Sequence, residues 1–413
     1  MTTSVLLALG GASFESAVVV GLQADDREVR IARRCVDVPD LLAAASTGQA
    51  RAVLVSPATP HLDADLVAAL RSRRVEPIGL VAADRAADEQ RLHQIGVRAV
   101  LSADGDDLAG RLLAALERAE SPFPLGAQPG AHLGAHERVE PEPLREGEVV
   151  AVWGPTGAPG RSTVALGLAA ELAEAGRSTL LVDADVYGGS QAQMLALIGE
   201  SSGVLAAARA AKQGTLTVSE LAGHARTVAG GLRVLTGLPR ADRWPELSES
   251  AVDGLLLAAR GLAWHVVVDC GFGLEVDEAL TFDTAAPRRN GATLQVLDEA
   301  DTVLAVGSAD PVGLTRLARG VVDLRAAVPG ASVRVVLNRW RGGLGWSRDE
   351  VVATVERLTG SADVVVLPED RPSCDSCLLH GRTLVEAAPR SRLRLAMRDL
   401  VGATAPRREV ARR

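Results

Sequence analysis

The sequence predicts an α/β protein built from two doubly wound parallel sheets. Its 413 residues are enough for two or three domains with sizeable cores, and 47% of them are hydrophobic. Short apolar strands alternate with helical stretches in two parts of the chain, and a Pro/Gly-rich stretch separates these parts. Such alternation favours parallel sheets, because each parallel strand is reached through a crossover helix.

The first part covers residues 1–118 and predicts one doubly wound domain. Its expected strands lie at residues 5–9, 29–33, 52–55, 77–81 and 99–101. Residues 119–147 contain Ser-Pro-Phe-Pro and Glu-Pro-Glu-Pro and show no hydrophobic period. This composition predicts a linker.

The alternation restarts at Glu148 and predicts a second domain over residues 148–405, before a basic tail at 406–413. A helix is expected from about Ser162 to Ala175, and a last helix from about Arg392 to Val401 with its arginines solvated. The expected strands lie at residues 149–153, 179–182, 232–235, 265–268, 302–305, 333–337 and 364–367.

Composition narrows the classes of function. The net charge of −8 argues against nucleic acid as a partner bound through broad electrostatic attraction. No long uncharged apolar run and no basic signal-peptide start are present, so the protein is expected to be cytoplasmic. Lys212 is the only lysine among 44 basic residues, a bias that lowers the weight of any single Lys-to-Arg change.

A glycine-rich segment, Gly154–Thr163, follows an expected strand and opens an expected helix. In this context backbone N–H groups and the positive helix end can cradle phosphate oxygens, while a hydroxyl holds Mg²⁺. An ordinary Gly-rich turn is the alternative for this segment alone. The candidate phosphate-binding residues are Gly157, Gly160, Arg161, Ser162 and Thr163.

Polar residues follow three later strands. Asp183 and Asp185 end one, Asp269 ends another, and Asn338 ends a third. Strand ends of this kind lie on the crevice side of a parallel sheet, where carboxylates can orient Mg²⁺ or an attacking water. Each residue alone could be a cap or turn former, but the ordered set favours a nucleotide site.

This ordered set resembles the MinD/ParA superfamily of ATPases, over about 250 residues. The resemblance implies ATP and Mg²⁺ as cofactors and a homodimer as the working form. It makes Ser162 the Mg²⁺ ligand, Asp185 the catalytic, water-positioning carboxylate, Asp269 the Walker B carboxylate and Asn338 the adenine contact. Residues 367–370, Leu-Pro-Glu-Asp, match the loop that flanks the base.

The phosphate loop departs from the family pattern Lys-Gly-Gly-x-Gly-Lys-[Ser/Thr]. Thr156 and Arg161 stand at the two lysine positions, Ala158 at the second glycine and Pro159 at the variable position. Pro159 has no N–H to give to a phosphate, and a guanidinium is a broader group than an ammonium. Hydrolysis is therefore expected to be weak or lost, and nucleotide binding is left open.

The first domain resembles response-regulator receiver domains around residues 53–63, where an Asp would be the phosphoacceptor. Here that position is Ser56, the acidic pair after the first strand is Gly10-Gly11, and the lysine position is Ala103. Without these groups neither metal nor nucleophile is expected. The domain is interpreted as a receiver-like interaction module, and an unrelated flavodoxin-like domain is the alternative.

A pseudo-receiver, a Pro-rich linker and a MinD-like domain together resemble the CpaE/TadZ proteins and, more closely, actinobacterial septum-site-determining proteins. The resemblance implies a localisation factor at a pole or septum, whose partners belong to the division septum or to pilus and secretion machinery. Two rival hypotheses remain. One is an active ATP-dependent dimerisation switch, and the other is an iron-sulfur or redox carrier.

The carrier hypothesis rests on Cys374 and Cys377, a CxxC pair among four cysteines. One pair is an incomplete ligand set, and it lies 36 residues after Asn338, whereas the carriers of this superfamily place theirs within a few residues of that strand. The basic tail has few apolar anchors, so membrane attachment through it is the less favoured reading.

Overall fold

The chain folds into two compact units, Met1–Arg145 with Ala210–Thr215 and Glu146–Arg209 with Leu216–Arg413. The structure is a computed structural model. It describes residues 2–24, 29–83, 85–104, 107–120, 147–197, 199, 201–275 and 288–404. Residues 121–146 of the predicted linker and the whole predicted tail, 406–413, lie outside the described residues.

The first unit alternates strands and helices as the sequence predicts. Its strands are β1 (Thr3–Ala8), β2 (Val29–Arg34), β3 (Ala52–Val55), β4 (Glu76–Val81) and β5 (Ala99–Ser102). Its helices are α1 (Glu15–Ala24), α2 (Val38–Ser46), α3 (Ala64–Ser72), α4 (Ala86–Gln94) and α5 (Leu108–Glu120). Helix α5 thus extends two residues into the predicted linker.

Within the described residues these five strands form one parallel sheet in the order β2-β1-β3-β4-β5. This order is shared by receiver and flavodoxin-like folds. The doubly wound parallel sheet predicted for this unit is therefore confirmed, and its topology is consistent with both alternatives raised from the sequence.

The second unit begins its regular structure at β6. Its strands are β6 (Glu148–Trp153), β7 (Thr179–Ala184), β8 (Arg226–Thr227), β9 (Arg233–Leu235), β10 (His265–Cys270), β11 (Thr302–Ser308), β12 (Val333–Trp340) and β13 (Val364–Pro368). Its helices are α6 (Arg161–Glu174), α7 (Gln191–Met194), α8 (Gly203–Lys212), α9 (Val218–His224), α10 (Glu249–Leu262), α11 (Gly291–Glu299), α12 (Pro311–Ala327), α13 (Arg348–Thr359), α14 (Arg371–His380), α15 (Leu384–Ala387) and α16 (Arg392–Thr404).

The strands of this unit, within the described residues, form a sheet in the order β13-β12-β11-β6-β10-β7-β9-β8. All neighbouring pairs are parallel except β8 with β9. The two-residue edge strand β8 was not predicted, because two residues carry no readable alternation. None of the described helices is long and apolar enough to cross a membrane.

Helix α6 is the centre of the core of the second unit. Every residue from Val164 to Ala173 is buried, because the sheet covers one side of the helix and α16 covers another. Gly167 allows this close packing, since a β-carbon there would lie 3.3 Å from three atoms of Met397. A helix enclosed in this way is apolar nearly all round rather than on one stripe.

The prediction of solvated arginines on the last helix is wrong for Arg394. Its Nε donates to Oε1 of Glu171 at 2.7 Å, and the two side chains are 16% and 3% exposed. The same guanidinium donates through Nη1 to the Pro389 carbonyl at 2.9 Å. A buried carboxylate needs such a partner, because an unpaired charge in the interior is costly.

The substitution Arg394→Ala is expected to lower the free energy of unfolding by about 3 kcal/mol, because it leaves the Glu171 carboxylate buried without its cation. Arg398→Ala is the matched control, since Arg398 is an exposed arginine on the same helix. Urea unfolding of the three proteins measures the difference. Equal losses in the two variants would contradict a structural role for the pair.

Candidate functional site

Parallel pairing brings the predicted site residues to one edge of the larger sheet. Asp269 is in register with Asp183 on β7 and with Val152 on β6, and Asn338 on β12 is in register with Ser308 on β11. The loop between β6 and α6 lies at the same carboxyl edge. The candidate site is therefore assembled by the sheet itself.

The phosphate loop depends on two glycines in the left-handed region. Gly157 has a φ of +77° and Gly160, the N-cap of α6, a φ of +83°. A β-carbon at Gly160 would lie 2.3 Å from Nδ2 of Asn338, so a larger residue would displace this amide and would also be strained at the positive φ. These two glycines allow the tight turn that aims the start of α6 at the loop.

Arg161 folds back onto the protein. Its Nη1 donates to the Gly154 carbonyl at 3.1 Å, and its Nη2 lies 3.4 Å from Oδ2 of Asp185. The guanidinium carbon also lies 5.8 Å from the centroid of the Phe272 ring. The side chain at the second lysine position is thus held by the loop, a carboxylate and a ring.

Asp185 is engaged through both carboxylate oxygens. Oδ1 accepts from the N–H groups of Tyr187 at 2.9 Å and Gly188 at 3.3 Å, while Oδ2 faces Arg161. The residue is 5% exposed. Oδ2 therefore has a guanidinium as its neighbour and keeps a second lone pair for another donor.

Two buried carboxylates lie behind the loop, and Gln191 links them. Its side-chain Nε2 donates to Oδ2 of Asp269 at 2.8 Å and to the Ser162 carbonyl at 3.1 Å, and its backbone N–H donates to Oδ2 of Asp183 at 3.0 Å. Asp183, Asp269 and Gln191 are all fully buried. Sequence reasoning missed Gln191, although its place six residues after Asp185 at the start of α7 was a usable signal.

Burial changes the ionisation of this pair. Burial, with the Asp269 charge as a further cause, raises the pKa of Asp183 to about 8. Burial also raises the pKa of Asp269, to about 6, against hydrogen bonds from Gln191 and Ser162 that lower it. Burial thus favours the protonated form of both carboxyls.

The residues present fit a magnesium ion on the phosphate side. Among the described residues, Oδ1 of Asp269 is buried and has no hydrogen-bond partner, and the Ser162 hydroxyl is close enough to influence the pKa of Asp269. Carboxylate and hydroxyl oxygens are ligands that Mg²⁺ accepts. This orphaned oxygen is the kind of group a hydrated cation would satisfy.

Asn338, the predicted adenine contact, is hydrogen-bonded to the phosphate loop. Asn338 is 5% exposed, and its Nδ2 donates to the Pro159 carbonyl at 2.9 Å while its Oδ1 accepts from the Arg339 N–H at 2.9 Å. In this arrangement the amide stabilises the phosphate loop. Thr163 lines a small cavity of about 30 Å³ together with Cys374 and Cys377.

An aromatic cluster that the sequence did not reveal lies beside Arg161. The rings of Tyr187 and Phe272 are 4.5 Å apart, and the guanidinium of Arg289 lies 4.2 Å from the Tyr187 ring. Tyr187 also donates its hydroxyl to Oδ1 of Asn290 at 2.6 Å. With aromatic content at 2%, this pairing could not be anticipated from periodicity.

Part of the second unit matches a known protein family. The ParA family model, described as NUBPL iron-transfer P-loop NTPase, matches residues 146–217, which hold the phosphate loop, Asp185 and Gln191. The ParA family ATPase from Chlorobium tepidum TLS is 19% identical, with 62% of this chain and 98% of that chain covered and a TM-score of 0.52. The fold is that of a ParA-type P-loop NTPase.

Two further solved structures are similar to about the same share of this chain. The cell division ATPase MinD of Pyrococcus furiosus is 19% identical over 63% of this chain and 100% of that chain, with a TM-score of 0.49. The septum site-determining protein MinD of Pyrococcus horikoshii OT3, complexed with Mg-ADP, is 18% identical over 63% and 96%, with a TM-score of 0.48. No curated protein matches the chain.

The cysteine pair of this ParA-type unit lies on α14 as two free thiols. Burial raises the pKa of Cys377 to about 11 and also raises the pKa of Cys374. Within the described residues no group of three or more His, Cys, Asp or Glu side chains is placed to hold a metal. Thiols with raised pKa values are poor nucleophiles near neutral pH.

In the first unit, the phosphoacceptor position is enclosed. Ser56 is fully buried, its hydroxyl donates to the Leu9 carbonyl at 2.7 Å, and its N–H donates to Oγ1 of Thr59 at 2.9 Å. Gly10 adopts a φ of +60°, and a β-carbon there would lie 2.1 Å from the Ala58 carbonyl oxygen. An acidic side chain at Gly10 is therefore excluded by the backbone itself.

Acetyl phosphate is expected to leave this unit unmodified, since the Ser56 hydroxyl is buried and already donates a hydrogen bond, and since Gly10-Gly11 replace the acidic pair that would hold Mg²⁺. Intact-mass measurement after incubation checks this. The variant Ser56→Asp tests whether a carboxylate at this position is sufficient for phosphorylation. It too is expected to stay unmodified. A stable phosphorylated form of the natural chain would contradict the prediction.

The second unit is expected to lose stability as pH rises, through Asp183. The folded chain keeps a proton up to about pH 8, whereas the unfolded chain loses it near pH 3.8, so the unfolding free energy falls between these values. Asp183→Asn should flatten this fall by an amount on the order of 4 kcal/mol between about pH 5 and pH 8.

Urea midpoints at several pH values measure the slope. Asp323→Asn, which changes an exposed carboxylate on α12, is the control and should follow the natural chain. Parallel pH profiles for Asp183→Asn and the natural chain would show that the buried carboxyl is not responsible.

Proposed function

We propose that this protein is a MinD-like localisation factor that places division-septum or pilus and secretion machinery, with little or no ATP hydrolysis. The contact between Arg161 and Asp185 carries the weak or absent hydrolysis in this proposal, because it directs the guanidinium at the second lysine position towards a carboxylate of the same chain. The ParA family match over residues 146–217 and the ParA-type fold support the assignment.

Phosphoryl transfer depends mainly on positioning and on neutralising charge around the γ-phosphate. Thr156 supplies no cation, and Pro159 supplies no N–H donor to the loop. Arg161 donates to Gly154 and Asp185, so its charge is already partly neutralised inside the protein. Removing one preorganised stabilising group typically costs about 10²- to 10³-fold in rate, so several such losses would make hydrolysis negligible.

Binding of ATP with Mg²⁺ is a separate proposal, and the phosphate side of the site supports it. Gly157, Gly160 and the start of α6 retain the backbone donors, and Ser162 with Asp269 could hold the ion. Bound Mg²⁺ would neutralise phosphate charge. Asn338 would have to release Pro159 before it could contact an adenine base.

The mode of action that we propose is dimerisation and partner binding. The first unit, whose Ser56 is enclosed, would serve as a receiver-like interaction module. The net charge of −8 supports protein partners over nucleic acid. The domain order that resembles CpaE/TadZ and septum-site-determining proteins supports a location in the cytoplasm, peripheral at a pole or septum.

An active ATP-dependent switch is the second candidate. The unpartnered Oδ1 of Asp269 favours it, since a buried carboxylate oxygen without a partner could accept a hydrogen bond from a metal-bound water. A switch of this kind would use the Asp185 carboxylate to position the attacking water. The two candidate functions therefore differ in whether the protein needs the Asp185 carboxylate for its activity.

The purified protein is expected to release no phosphate from Mg-ATP above background, and Asp185→Ala is expected to leave its cellular location unchanged. Removing residues 1–118 should disturb that location, because the proposed interaction module is lost. Phosphate release and fluorescence microscopy of tagged chains measure these outcomes. Turnover by the natural chain that Asp185→Ala abolishes would establish the switch instead.

A further inference from the structure

Helix α12 approaches the phosphate loop closely because small residues line the contact. A β-carbon at Gly320 would lie 2.9 Å from Cβ of Pro155, and one at Gly313 would lie 2.5 Å from Cβ of Ser308. Asp310 fixes the start of the helix, since its Oδ1 accepts from the N–H groups of Val312 and Gly313 at 3.1 and 2.9 Å. The glycines and the cap thus set the distance between helix and loop.

This approach places the side chain of Arg316 on the phosphate loop. Its Nη1 lies 2.2 Å from the position that a β-carbon of Gly157 would occupy, so the guanidinium rests directly on the loop backbone. Gly157 directly follows Thr156. The family resemblance places a lysine at the position of Thr156. The Arg316 guanidinium therefore lies next to Thr156, the position where the family pattern has a lysine.

The surroundings leave the charge of Arg316 available. It lines a cleft of about 290 Å³ together with Gly157, Pro159, Arg339 and Arg341. The cleft has two carboxylates, and both are engaged. Asp310 accepts from the Ser308 hydroxyl and from the start of α12, and Glu369 lies 3.4 Å from Arg341. Within the described lining of this cleft, Arg316 thus faces no free carboxylate.

We propose that Arg316 is the phosphate-binding cation of this loop and acts within its own chain. Its guanidinium would contact the phosphate oxygens of a nucleoside di- or triphosphate held at Gly157 and Gly160. The inference rests on the nucleotide binding put forward under the proposed function. A planar guanidinium can donate two parallel hydrogen bonds to a phosphate, and such charge-assisted bonds are strong.

A cation supplied in this way has a consequence for regulation. The resemblance implies that the lysine at the position of Thr156 acts on the nucleotide of the second subunit. Arg316 belongs to the same chain as the loop that it contacts. Nucleotide affinity would therefore be independent of protein concentration, and nucleotide binding would not by itself drive dimerisation.

Calorimetric titration of the full chain with Mg-ADP tests the proposal. Arg316→Ala is expected to weaken binding by about 10- to 100-fold, the loss that a charged hydrogen bond typically causes. Arg316→Lys should recover part of this loss. Arg319→Ala is the matched control, because Arg319 is an exposed arginine on the same helix that lies outside the cleft lining. It should bind Mg-ADP as the natural chain does.

Repeating the titration at low and high protein concentration distinguishes action within one chain from action across a dimer. Equal affinities support the proposal, and an affinity that rises with protein concentration overturns it. Equal binding by Arg316→Ala and the natural chain, or no binding by the natural chain, also overturns it. ATP turnover by the natural chain would instead contradict the proposed loss of hydrolysis, while leaving the role of Arg316 standing.

Discussion

Parallel pairing of β6, β7 and β10 is the constraint on which the second unit depends. Parallel strands all end at the same edge of a sheet, so the loop after β6 and the carboxylates that end β7 and β10 must meet there. The register fixes Asp269 beside Asp183. The burial of α6 beneath the sheet then positions the start of that helix at the same edge.

This arrangement costs free energy, because two carboxyl groups are removed from water next to each other. The raised pKa of Asp183 reflects that cost, and Gln191 offsets part of it by donating to both side chains. A fold with no use for these groups could replace them by apolar residues at little loss. Their presence, together with the unpartnered Oδ1 of Asp269, is consistent with a site that holds a cation.

The loop itself is stabilised from within. Asn338 donates to Pro159, and Arg161 donates to Gly154 and Asp185, so groups that a bound nucleotide would use instead hold the loop in shape. Side chains of the second unit itself thus hold the loop.

The sequence by itself determined the alternation of strands and helices, both parallel sheets and the chain positions of the phosphate loop, Asp185, Asp269 and Asn338. These features depend on local hydrophobic periods and on glycine and proline, whose effects act over a few residues. The ion pair between Arg394 and Glu171, the buried Gln191 and the position of Arg316 on Gly157 were decided only by the tertiary structure. Each of these contacts joins segments that are far apart in the chain or depends on which face of a helix is covered, and neither property leaves a local pattern.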